Sequence, residues 1–270
     1  MRSRHGFTLI ELLVAMVVVA ILGTILARML VQDSRFVSKL EAMMEARQTS
    51  RAAMTTISVE AGMVTEGGVT EATRTRFGFV VPFAWGIACT RVGSVTVGSL
   101  IPTDSLMFAS AVVNTVSWLD GSGSYQSQAV AVGPSTNLAA CEADSVRLVS
   151  GGQLVNLTMP DVMPSGSVFY LGESVVYEFR PSAVLPGRTA LWRQSGSATW
   201  DELLAPFDTA SGFGYHVGSS DTANTNPPGA INTITGVELR LIGESQLNPE
   251  GTSQPEEFLI RTRITFLNKQ

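Results

Sequence analysis

The sequence predicts an α+β protein: a long N-terminal α-helix, membrane-spanning in its first half and amphipathic in its second, packed on a β-rich, largely antiparallel globular head. Three observations predict it. Phe7 to Ala27 is an apolar run of 21 residues whose only charge is Glu11. No proline occurs before Pro82, and residues 28–61 are rich in Ala, Met, Leu, Arg and Glu, which favour helix. Beyond residue 70 charge becomes sparse, and short Val-, Thr- and Ser-rich runs alternate with Gly, Pro, Asn and Asp.

The apolar run comes first. At about 1.5 Å rise per residue it spans about 31 Å, close to the hydrocarbon thickness of a bilayer. Arg2 and Arg4 precede it and hold the N-terminus in the cytoplasm, which sends the rest of the chain outward. Arg28, Asp33, Arg35 and Lys39 mark the return to water. The helical pattern continues: Leu26, Met29, Leu30, Phe36, Val37, Leu40, Met43, Met44, Met54, Ile57 and Ala61 recur mostly at spacings of three and four, forming one stripe. Gly62 and Gly67-Gly68 are stop signals, so the helix should be about 80 Å long, with Gly23 a weak point inside it.

Candidate strands follow at 76–81, 92–100, 105–110, 127–132, 145–149, 153–158, 167–171, 174–180, 189–194, 231–242 and 257–267. Val237 to Ile242 alternates apolar and charged residues, and Ile260 to Leu267 does so less cleanly. These two read as an antiparallel pair joined by a loop at 243–256 that contains Pro249, Gly251 and Pro255. A short second helix is expected near 201–206. No strand–helix alternation points to a parallel sheet, and about 200 residues suffice for one substantial β-rich domain.

A carboxylate in a membrane helix costs about 2.5–3.5 kcal/mol even on the mild insertion scale, and a plain single-pass anchor leaves Glu11 unexplained. The basic leader Met1–Gly6, followed by Phe7-Thr8-Leu9-Ile10-Glu11, resembles the type IV prepilin signal. An ordinary secretory signal puts small residues after the apolar run, not a glycine before it. The resemblance implies cleavage by a prepilin peptidase between Gly6 and Phe7 and N-methylation of Phe7. It also implies an assembly contact between Glu11 and the amino group freed on Phe7, in the same or a neighbouring subunit. The chain then divides into a cleaved leader (1–6), a transmembrane helix (7–27), an amphipathic stalk helix (28–64) and a β-rich pilin head (65–270). The protein would sit in the inner membrane with a periplasmic head and later enter a filament.

The C-terminal half extends the resemblance. Val175-Val176-Tyr177-Glu178-Phe179, Leu191-Trp192-Arg193, Glu202-Leu203-Leu204 and Phe213-Gly214-Tyr215 come in order, then Gly236–Leu241 and Arg263 with Phe266-Leu267-Asn268. This succession is similar to the large W-type minor pilins and the J-type pseudopilins of type II secretion. The terminal Leu267-Asn268-Lys269-Gln270 departs from the Arg-Asn ending common in that family. The implied role is a non-enzymatic subunit that initiates or caps a filament. Its implied partners are the peptidase, other pilin or pseudopilin subunits, an assembly ATPase, the inner-membrane platform of a pilus or type II secretion machine, and membrane lipid.

Cys89 and Cys141 are the two cysteines, and an outward-facing head is an oxidising location that favours a disulfide; two separate buried thiols are the alternative. Two cysteines with scarce histidine make no standard zinc site, so no metal or cofactor is expected. His5 leaves with the leader, His216 is the remaining histidine, and no Gly-x-Ser-x-Gly elbow or phosphate loop with its lysine exists. No enzyme is expected. A net charge of −5 offers no broad footprint for nucleic acid. The rival readings are a filament-borne binding module for adhesion or DNA uptake, and a membrane-anchored periplasmic enzyme.

Overall fold

One unbroken helix forms the spine of the molecule. The computed structural model describes residues 9–266, apart from 66–67, 111, 124, 147–149 and 227–228. Helix α1 runs Leu9–Ala61, 53 residues or about 80 Å. It passes straight through Gly23, where an added Cβ would have nothing within 4 Å. Past Ala61 the Gly62 N–H still bonds to the Ser58 carbonyl, and the chain then turns away. Every residue from Leu9 to Val37 is exposed.

The remainder of α1 seats on the head through Ala42, Ala46, Ser50, Ala53, Ile57 and Ala61, spaced four, four, three, four and four. Of the expected stripe, Ile57 and Ala61 are buried and Met54 packs against the core they join, whereas Phe36, Val37, Leu40, Met43 and Met44 stay exposed, and small residues form most of the seam. The reason is backbone proximity: a Cβ added at Gly243 would lie 2.4 Å from the Ala46 carbonyl oxygen. Ser50 bridges two strands at this point. Its hydroxyl accepts the Gly243 N–H at 2.8 Å and donates to the Phe258 carbonyl at 2.9 Å.

The strands are β1 (Val69–Ala72), β2 (Arg76–Val92), β3 (Val95–Leu100), β4 (Thr115–Leu119), β5 (Tyr125–Ala129), β6 (Ala131–Pro134), β7 (Gln153–Thr158), β8 (Val168–Pro181), β9 (Thr189–Ser195), β10 (Asp201–Phe207), β11 (Gly212–Val217), β12 (Ile234–Glu244) and β13 (Glu257–Thr265). Helices α2 (Pro102–Ser110) and α3 (Leu138–Glu142) interrupt them. All the strand pairings described are antiparallel and join one sheet. The expected β12–β13 pair forms in continuous register from Gly236↔Thr265 to Glu244↔Glu257.

Two large cores and a small cluster around Cys89 and Cys141 fill the described head, and β2 and β8 run through both large cores. The proximal core packs Ile57 and Ala61 of α1 against Phe77, Phe79, Tyr177, Phe213, Tyr215 and Phe266. The distal core surrounds Phe169, Leu171, Trp118 and Leu157. In that half the order is β5-β4-β8-β2-β3-β7-β6. Its two edge strands are joined through Val130 alone, so the half-sheet curls closed. Gly86 and Gly98 make room inside: an added Cβ on either would lie 2.6 Å from the Phe169 ring.

Cys89 on β2 and Cys141 on α3 form a disulfide, both fully buried and 52 residues apart in sequence. A loop of that size is worth about 4 kcal/mol in the chain-entropy model. Replacing both cysteines with serine should lower unfolding stability by about 2–4 kcal/mol, read as a fall in urea midpoint under non-reducing conditions. An unchanged midpoint would show that the bridge restrains nothing.

The upper end of α1 is tied by Glu60. Its carboxylate accepts from the Tyr177 hydroxyl at 2.7 Å and from Arg193 at 3.0 and 3.3 Å. Arg193 also faces Glu173 at 3.8 Å. Burial raises the Glu173 carboxyl above its ordinary 4.5, against the pull of Arg193, and the nearby Glu60 charge adds to the rise. The fold therefore favours the protonated acid. Its contribution is complete below the ordinary value and is lost as pH rises through the raised one. Glu173→Gln should flatten the fall in stability between pH 4.5 and neutral, measured as urea midpoints at several pH values. An unaltered pH slope would count against this.

Several expectations are corrected. Residues 105–110 are helix α2 rather than a strand, because Pro102 occupies a first-turn position and the Ser105 hydroxyl bonds to the Ile101 carbonyl. Residues 201–206 are strand β10 rather than a helix. Pro206 disfavours helical backbone at Ala205, and Glu202 accepts from the Ser182 hydroxyl and the Ala183 N–H. Segments 167–171 and 174–180 are one strand, β8, and 231–233 is a 3₁₀ turn ahead of β12. Of 145–149, residues 145–146 are not strand and 147–149 lie outside the described residues.

Candidate functional site

The first half of α1 is what the head leaves free. Its most apolar 18-residue window has a mean hydropathy of 2.8 with nothing buried, and among the described residues this is the one helix long and apolar enough to cross a membrane. The head grips the helix from Ser34 upward through the loop between β12 and β13. Ser34 donates to Glu250 at 2.8 Å, Ser38 accepts the Glu250 N–H, Lys39 pairs with Glu256 at 3.5 Å, and Glu45 accepts the Gln246 N–H. Residues 9–33 thus project as a rod about 37 Å long.

Glu11 lies close to the start of the described part of α1. Ile10, Glu11, Val14 and Ala15 line a shallow, almost wholly apolar depression on the helix surface. Gly6 and Phe7 lie outside the described residues.

The head offers little reactive chemistry among the described residues. His216 is buried on β11, with Nδ1 at 3.2 Å from the Ser220 carbonyl, a backbone contact that fixes the ring. Asp208, Glu244 and Glu257 have carboxylate oxygens within 4.8 Å of one another, but Glu244 is already held by Arg188 at 2.7 Å. Sequence reasoning passed over this trio, since only the β12–β13 register brings Glu244 opposite Glu257.

Residues 1–27 match a protein-family model described as the prokaryotic N-terminal methylation motif. A search of curated proteins and a search of solved structures each find no match. The matched segment contains Gly6, Phe7 and Glu11 and ends at the basic boundary of the apolar run. The chain therefore carries a prokaryotic N-terminal methylation motif, continued by a helix suited to a membrane and set on an antiparallel β head.

Proposed function

We propose that the protein is a minor pilin or pseudopilin, a non-enzymatic subunit that initiates or caps a type IV pilus-like filament. In this reading a prepilin peptidase cuts between Gly6 and Phe7 and methylates Phe7, and the α1 rod then leaves lipid for a bundle of like helices. One observation carries the reading most: a methylation motif at residues 1–27 opens directly into an unbroken helix whose first part is fully exposed and whose second part is seated on the head. Lipid and bundle are similarly apolar, so helix packing and the pairing of Glu11 with the freed Phe7 amine must supply much of the preference. The resemblance of β8–β13 to W-type minor pilins and J-type pseudopilins, and a head too bulky to tile a thin bundle closely, favour a place at the filament end.

Mass spectrometry of the protein from cells that hold a prepilin peptidase tests this. The expected N-terminus is methylated Phe7. Recovery of residues 1–6 still attached would remove the proposal.

A further inference from the structure

The outer face of β11, β12 and β13, turned away from α1, carries a second surface of distinct chemistry. Register sets Gly212 opposite Arg240 and Arg240 opposite Arg261; one row on, Gly214 lies opposite Glu238 and Glu238 opposite Arg263. The two glycines contribute no side chains, which leaves a cleft of about 210 Å³ beside β12, with Arg74 on its far wall. Arg74 is held there by its carbonyl, which accepts the Phe213 N–H at 2.8 Å. A Cβ added at Gly212 would lie 2.4 Å from that oxygen, so this close approach requires glycine.

The cleft's charge is unbalanced. Arg261 is paired with Glu238 at 2.7 Å and Arg263 with Asp221 at 2.8 Å. Arg74 and Arg240 make no side-chain hydrogen bond or ion pair among the described residues. Arg240 stands directly across from Arg261, a like-charge cross-strand pair that costs stability. Three arginines therefore face one glutamate in a chain whose net charge is −5.

We propose that this cleft docks a carboxylate side chain presented by another protein chain. Guanidinium forks suit the planar, two-oxygen shape of a carboxylate, and the cleft has room for one acidic side chain. Membrane headgroups are too far away. Gly243 of the same sheet rests on Ala46, and about 27 Å of helix separate Ala46 from Arg28, several screening lengths at physiological salt. A nucleic-acid backbone fits poorly too. The same face passes from Arg240/Arg261 to Ile242/Leu259 and then to Glu244/Glu257, so a polyanion following it would run onto acids. A segment with an acid, an apolar residue and a base at alternate positions complements Arg240, Leu259 and Glu257, an exposed side chain in each of the three rows, and Leu259, 53 % exposed, supplies the apolar contact. The inference concerns the head and does not depend on cleavage after Gly6.

The test uses the full chain in detergent micelles and a blocked peptide, Ser-Glu-Ser-Leu-Ser-Lys, with binding followed by fluorescence anisotropy. The wild-type chain should bind it, and Arg74→Ala and Arg240→Ala should each weaken binding by about tenfold. Arg51→Ala, which removes an exposed charge on α1, should leave binding unchanged. Both cleft arginines are exposed, so their loss should not unfold the head, and a thermal melt checks this. Equal binding of a peptide with Gln in place of Glu would overturn the proposal, as would wild-type affinity in both cleft variants. Displacement of the peptide by inorganic phosphate at matching concentration would overturn it as well, since the cleft would then be a general oxyanion site.

Discussion

Gly243→Val should pull the stalk helix off the head and destabilise the protein by about 3 kcal/mol or more. The added Cβ alone would lie 2.4 Å from the Ala46 carbonyl oxygen, 2.5 Å from the Ser50 hydroxyl and 3.1 Å from the Ser50 nitrogen. Two of these are helix backbone atoms, which cannot rotate aside as the end of a side chain can. Relief requires lifting the helix, and lifting it breaks both bonds of the Ser50 hydroxyl to β12 and β13. The buried Gly243 N–H would then lack its partner at a further cost of about 1–3 kcal/mol. Urea unfolding of the full chain in detergent should show the loss, and limited proteolysis should open new cuts near residues 42–50. Gly133→Ala is the companion variant. An added Cβ there meets nothing within 4 Å, and it should unfold within about 0.5 kcal/mol of wild type. Similar behaviour of the two variants would show that the helix is not seated as described.

The second large effect belongs to Glu11. Glu11→Val should remain inserted in the membrane, since it replaces a costly carboxylate with an apolar group in an already apolar helix. It should nonetheless fail to enter filaments or to co-purify with sister subunits, with incorporation falling by at least about tenfold. The loss is specific to assembly: a protonated Phe7 amine brought into a dry helix bundle without its carboxylate would be a buried charge lacking its counter-ion. Fractionation and pull-down of the variant measure the two behaviours separately. Normal incorporation would show that the proposed pairing is dispensable.

The parts of the fold that were legible are those with one uniform solvent on one side. The run from Phe7 to Ala27 declares itself because lipid tolerates a single kind of side chain, and Glu11 stands out against it. Val237–Ile242 is legible because one face of β12 meets α1 and the core while the other meets water. Short apolar runs are another matter, since Ser105–Ser110 fits a strand or a helix equally by periodicity; Pro102 at the helix start was the overlooked signal. Asp201-Glu202-Leu203-Leu204 resembles a helix start, yet Pro206 argued against one.

Other features were out of reach of local reading. The α1 seam of Ala42, Ala46 and Ser50 carries almost no hydrophobic weight, and only the close approach of Gly243 gives it meaning. The arginine cleft depends on a register that joins Gly212, Arg240 and Arg261 across three strands. Cys89 and Cys141 could be suspected of pairing from their compartment, whereas the α3–β2 packing that brings them together could not be read.

The clasp of the 245–256 loop on Ser34, Ser38, Lys39 and Glu45 fixes the azimuth of the head around the helix axis. Each residue of an α-helix turns by about 100°, so the number of residues between Glu11 and Ser34 acts as a phase setting. Inserting one alanine beside Gly23 would advance the head by only about 1.5 Å but swing it by more than a quarter turn. The spacer is thus a dial for the compass direction in which the head faces.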